Sequence, residues 1–273
     1  LEQQIRSSFN FSRRSVIAEL AMRLSRYVSV SGGYQIQRTR VFNQSVELSQ
    51  QRTIDRLFPK VRVSSFLASA IRDTRDDPVD PSGGAYLSAN GQVAARAIGS
   101  EVGFVKSYVT AQAFRTLPRT RGIVFAASAR VGAAGGFPGA AGSRDLPASE
   151  RFFAGGDTTV RGFTLDRLGV RRDPPSPADT LDPAGFALGG NALLLFNGEL
   201  RVPVRSGVRV VGFADVGNVF KTVSDMNIAD MRPALGFGFR YKSPVGPLRF
   251  DLGFKVPRRE GEARAAWFIT FGE

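Results

Sequence analysis

The chain has no cysteine and no histidine. Neither a disulfide scaffold nor a Cys/His zinc site can be built from it, and a cysteine nucleophile and a Ser-His-Asp triad are excluded as well. Tryptophan occurs once and methionine three times. No stretch approaches the ~18 to 20 uninterrupted apolar residues of a membrane-crossing helix; the longest apolar runs are Ala192 to Phe196 and Gly122 to Ala129. A helical membrane protein is therefore excluded. No secretory leader opens the sequence, which starts at Leu1 in mixed polar and apolar text, so it is expected to be a piece of a longer protein. What is abundant, in 273 residues, is glycine (30) and phenylalanine (22), a bias toward turn-rich β structure.

Lys and Arg number 37 against 24 Asp and Glu, for a net charge of +13. Such a balance raises nucleic acid as a partner, because clustered cations neutralise phosphates. The distribution argues otherwise: Arg96, Arg115, Arg130, Arg201, Arg240 and Lys255 are spread singly through apolar segments, with no basic helix or stacking motif beside them. No nucleic-acid partner is expected.

From about residue 85 onward the sequence alternates with period two, which puts successive side chains on opposite faces of a sheet. In the run Asn191 to Arg201 the even positions are Ala192, Leu194, Phe196, Gly198 and Leu200, whereas the odd face turns polar at Asn197, Glu199 and Arg201. In Pro247 to Val256 the residues Arg249, Asp251 and Lys255 oppose Leu248, Phe250, Leu252, Phe254 and Val256. The pattern predicts about eleven or twelve strands, at 3–11, 14–26, 27–42, 61–75, 85–98, 103–118, 121–134, 188–204, 207–220, 232–243, 247–256 and 264–272. Short turns rich in Gly, Pro and Ser alternate with longer polar loops at 43–60, 135–187, 221–231 and 257–264. An up-and-down antiparallel transmembrane β-barrel gives that alternation of loop lengths. A soluble β-sandwich or lipocalin-like barrel also alternates, with its apolar face turned inward; strands of ten or more residues with continuous Phe, Leu, Val and Ala bands suit a lipid-facing sheet better.

Several segments, in order, resemble one family. They are Asp73 to Pro78 leading to Asp80 to Gly84, Phe152-Phe153-Ala154-Gly155-Gly156 running into Val160-Arg161-Gly162-Phe163, and Gly189-Gly190-Asn191 with Gly198-Glu199-Leu200. Phe213 to Phe220, Ser243 to Arg249 and the closing Phe268 to Gly272 complete the set. Over roughly residues 61 to 273 the order and spacing are similar to the C-terminal barrel domain of the BamA/TamA superfamily of outer-membrane insertases, also called the bacterial surface antigen family. The resemblance implies an all-β barrel of about sixteen strands, of which residues 1–273 supply the C-terminal part. By that resemblance the first strands and the periplasmic POTRA domains are expected to lie outside this chain. It further implies that the long loop folds back into the lumen, carrying Val160, Arg161, Gly162 and Phe163.

A guanidinium inside a barrel needs an acidic partner, since a charge withdrawn from water is costly unless paired. Glu199 and Asp215 are the candidates, and the resemblance implies that they receive Arg161. Without it, Arg161 reads as an exposed loop residue, with Glu199 and Asp215 paired to Arg201 and Arg209. The link from Asp73 to Gly84 reads as a solvated turn with Asx-type hydrogen bonds; its acids do not have the spacing of an EF-hand calcium loop. No metal, cofactor, catalytic residue or enzymatic chemistry is implied. The expected task is assistance to the folding and insertion of β-barrel proteins in the bacterial outer membrane, with Trp267, Ile269 and Phe271 on the last, gate-forming strand. The implied partners are the lipid bilayer, unfolded β-barrel clients, and accessory assembly lipoproteins or an inner-membrane-anchored protein. A translocation and assembly subunit of the TamA type, a two-partner-secretion transporter or a passive pore are the alternatives.

Overall fold

In the computed structural model, residues 2–5, 10–42, 60–138, 146–243 and 246–271 are described. They form one antiparallel sheet in which every strand pairs with its neighbours in sequence: β1 (Glu2–Ile5), β2 (Asn10–Arg23), β3 (Val28–Phe42), β4 (Val61–Asp73), β5 (Gly83–Ala94), β6 (Phe104–Thr116), β7 (Val124–Gly136), β8 (Ala192–Arg205), β9 (Val208–Phe220), β10 (Arg232–Ser243), β11 (Gly246–Lys255) and β12 (Ala265–Phe271). Helix is confined to four three-residue 3₁₀ turns among the described residues. Seven strands precede the long loop and five follow it. Among the described residues no ladder joins β1 to β12.

Boundaries differ from expectation at the front. The sequence pattern puts a turn between residues 11 and 14, but β2 begins at Asn10 and runs through that position. The Arg13-Arg14 pair, which interrupts the apolar alternation, belongs to the strand because Arg13 is drawn inward to the long loop, where it donates to the Ser149 carbonyl at 3.2 Å. The expected loop at 43–60 lies outside the described residues except for Lys60, as do Pro244 and Val245 in the last short turn.

β-branched and aromatic residues at alternate positions favour the pleated backbone, and cross-strand pairing then fixes which face each occupies. One face is an apolar band open to the surroundings. Phe125 lies opposite Leu200, Phe196 opposite Ala129, Leu252 opposite Trp267 and Phe250 opposite Ile269; Phe125, Phe196, Leu200, Phe250, Trp267 and Ile269 are exposed. For a sheet surrounded by acyl chains such exposure is the favourable state, because neighbouring strands satisfy the backbone groups and apolar side chains meet lipid. No helix among the described residues is long and apolar enough to cross a membrane.

The opposite face is covered at one end by the loop between β7 and β8. Val160, Phe163, Phe152, Leu146 and Leu168 of the loop pack with Leu193 and Leu195 of β8, Phe104 of β6 and Val63 of β4 in a buried cluster. That fits the alternation, whose odd positions on β8 turn polar at Asn197. The inward face of β8 is apolar where the loop covers it, at Leu193 (3% exposed) and Leu195 (0%), and becomes polar only from Asn197 onward.

Candidate functional site: a loop latched inside the sheet

The inward-folding loop presents Arg161 at the middle of the sheet, where the guanidinium is 3% exposed. Asp215, from β9, is fully buried and accepts both Arg161 Nε and Nη2 at 2.8 Å, a bidentate fork. The Arg161 backbone N–H adds a third bond to Asp215 Oδ2 at 3.0 Å. Glu199, from β8, takes Arg161 Nη1 through Oε1. Asp251, from β11, stands 3.8 Å from Nη1. Burial works against the Arg161 charge, but the hydrogen bonds to Asp215 and the fields of Glu199, Asp215 and Asp251 outweigh it, and the guanidinium pKa is raised above its ordinary value.

Two of the three acids, Glu199 and Asp251, are shared with wall arginines. Arg201 Nε donates to Glu199 Oε2 at 2.9 Å, Arg240 forks onto Asp251 at 2.7 and 3.1 Å, and Arg249 reaches Asp251 at 3.2 Å. Glu199 thus holds Arg161 and Arg201 together, so the two pairings that the sequence offered as alternatives coexist at that acid. Arg209 instead pairs with Asp80 of the Asp/Pro-rich link. Asn197 completes the seat of the loop: its Nδ2 donates to the Thr159 carbonyl at 2.6 Å and to Asp215 Oδ1 at 2.8 Å.

Two glycines and an aromatic ring let the loop come this close. Gly162 has φ +122°, a region that side-chain-bearing residues rarely adopt, and a Cβ there would meet the Ala234 Cβ at 2.9 Å. On the facing strand, a Cβ at Gly253 would run into the Arg161 backbone. The Arg161 guanidinium carbon sits 3.7 Å from the centroid of the Phe213 ring, which adds a cation–π contact in a desolvated place. Phe163 is buried at 1%, with Arg232 and Lys255 5.0 and 5.1 Å from its ring centroid. Arg232 is in turn forked onto Glu262 at 3.0 and 2.7 Å.

Of the residues singled out in the sequence, Val160, Arg161, Gly162, Phe163, Glu199 and Asp215 are brought together. Trp267, Ile269 and Phe271 lie elsewhere, on the exposed face of β12. A different residue of that strand reaches the loop: Thr270 Oγ1 donates to Asp157 Oδ2 at 2.9 Å. Sequence reasoning missed Asp251, Asn197, Phe213 and Gly253 as parts of the site. Parity held the signal, since Phe213 shares its face with Asp215, Asn197 with Glu199, and Gly253 with Asp251, each pair being two residues apart on one strand. In the link after β4, Asp76 accepts the N–H groups of Ser82 and Gly83 at 2.9 and 3.1 Å and Asp77 that of Val79 at 2.8 Å, the Asx-type turn the sequence suggested. Among the described residues no group of acids is arranged to hold a metal ion.

Residues 2–272 match the Omp85 superfamily domain. The outer membrane protein assembly factor BamA of Nitratidesulfovibrio vulgaris is 25% identical over 95% of this chain and 31% of its own length. SAM50-like proteins of Schizosaccharomyces pombe and Drosophila melanogaster are 28% and 30% identical over 68% and 70% of the chain and 38% and 40% of their own lengths. The chain therefore spans well under half of these curated relatives. In fold it is similar to the crystal structure of BamA from Haemophilus ducreyi lacking POTRA domains 1–3, with a TM-score of 0.75 at 17% identity over 96% of this chain and 54% of that one. CdiB from Acinetobacter baumannii aligns less closely, at a TM-score of 0.57 and 13% identity over 96% and 41% of the two chains.

Proposed function

The chain belongs to the Omp85 superfamily, and from that premise we propose that it is the C-terminal part of the barrel of a BamA-like assembly factor in a bacterial outer membrane. Client strands carry unpaired backbone groups that are costly in lipid, and a strand edge satisfies them by β-addition. In this reading β12, with Trp267, Ile269 and Phe271 toward the acyl chains, is the templating edge. Unfolded β-barrel proteins are the clients, and accessory lipoproteins or an inner-membrane-anchored protein act from the periplasmic side. The chemistry asked of the chain is strand exchange, with no covalent step.

The observation that carries this reading is the stoppered lumen. A passive pore needs an open aqueous path, whereas here Arg161 is buried on Asp215 and Glu199 and its neighbour Phe163 is buried as well. In the full-length protein, Arg161→Ala is expected to reduce the outer-membrane levels of many β-barrel proteins and to loosen heat-resistant gel mobility. Normal assembly with normal mobility would overturn the reading. Loss of a single secreted client, with general assembly intact, would favour a transporter of the CdiB kind.

A further inference from the structure

The latch at Arg161 holds only one end of the crossing segment. Eleven positions earlier in the chain, Glu150 is 3% exposed and lies against the other wall. Its Oε1 accepts Gln37 Nε2 of β3 at 2.5 Å and stands 3.6 Å from Arg13 Nη2 of β2. Its Oε2 stands 3.9 Å from Lys106 Nζ of β6. Gln37 is itself 1% exposed, so this carboxylate is met by a buried amide and two cations from three strands. Lys106 also lies 5.0 Å from the ring centroid of Phe152, which stacks on Tyr108 at 6.0 Å. Between the two ends, Asp157 takes the hydroxyl of Thr270 on β12.

We propose that Glu150 is a second anchor, and that the segment from Glu150 to Arg161 is a tie across the lumen which sets the spacing between the early wall (β2, β3, β6) and the late wall (β8, β9, β11). The physical reason is that both ends are buried charges. Moving the walls apart must pull either a carboxylate or a guanidinium from its partners, and leaving such a group unpaired is more costly than losing a neutral contact. Glu150 is a positioning residue in this scheme: it acts on β12 and the lock through the loop. The tie rests on the lumen geometry and not on the assembly reading, so the two can fail separately.

The test uses full-length protein in nanodiscs with spin labels at two outward positions, Phe66 on β4 and Phe237 on β10. Glu150→Gln is expected to broaden the distance distribution between the walls and to speed unfolding about tenfold. Arg161→Lys should broaden it similarly, and the double variant should be no broader than the wider single one, because a tie cut at one end carries no restraint at the other. Gln37→Glu combined with Glu150→Gln returns a carboxylate and an amide to the same place and should restore the narrow distribution. Gln37→Ala, a gentler cut, reads the same sign should Glu150→Gln fold poorly. An unchanged width in Glu150→Gln, or broadening that simply adds to that of Arg161→Lys, would overturn the tie. Lost client assembly alone, at unchanged width, would also count against it while leaving the assembly reading intact.

Discussion

The two halves of β8 look onto the same interior and carry opposite chemistry. Near the long loop the inward positions are Leu193 and Leu195, both buried; farther along they are Asn197, Glu199 and Arg201, which bind the loop tip and its neighbours. The difference teaches that the loop plugs by two mechanisms. Its apolar residues, including Val160 and Phe163 beside Arg161, are held by burial, which is graded and non-directional, and Arg161 itself by a fork of donors on carboxylates, which fixes one orientation.

The tip should be the more sensitive region. Arg161→Ala leaves Asp215 and Glu199 buried without their main partner and is expected to destabilise the folded protein by about 3 to 5 kcal/mol, read as a lower midpoint of heat-modifiable mobility. Arg161→Lys keeps the charge but loses the fork, and should recover only part of that. At the base, Leu195→Ala opens a cavity under the loop and should cost about 2 to 4 kcal/mol; if it exceeds Arg161→Ala, apolar packing and not the ion lattice holds the loop. Thr270→Val removes the hydroxyl given to Asp157 and is expected to cost about 1 kcal/mol, with its effect concentrated on hydrogen exchange along β12.

The smallest effect lies outside the lumen. The Ser82 hydroxyl, followed by the N–H groups of Gly83 and Ser82, holds the Asp76 carboxyl well below the usual carboxylate range. A carboxyl whose pKa is depressed by folding contributes stability that is complete above the unfolded pKa and is lost as pH falls toward the folded one. The turn joining β4 to β5 should therefore loosen only in strong acid, and Asp76→Asn should flatten that dependence while leaving the Arg161 latch in place. Amide exchange of Ser82 and Gly83 against pH measures it.

Much of this was legible in the sequence. The two-residue period separated the faces, the pattern places five strands after the loop, and the motif order pointed to the BamA/TamA superfamily barrel. The interior was less legible. Leu193 and Leu195 stand on the face that elsewhere carries charge, and nothing in a local window says that a distant loop will cover them. Asp251 read as one more polar residue on β11, because Arg161, the partner that ties it to the loop, is far away in sequence. Gly253 is silent for the same reason: its lack of a side chain has meaning only once Arg161 is packed on it. Arg13, which falls between the expected strands 3–11 and 14–26, is explained by its contacts with residues 149 and 150.

Because residues 1–273 contain no cysteine, a single pair introduced there can test the seating of the loop. Asn197 donates to the backbone of Thr159 at 2.6 Å, so Thr159→Cys with Asn197→Cys, oxidised in intact membranes carrying the full-length protein, should form an internal disulfide without disturbing heat-modifiable mobility. Two thiols that stay unlinked and react freely with a bulky maleimide would show the loop outside the lumen and contradict the account.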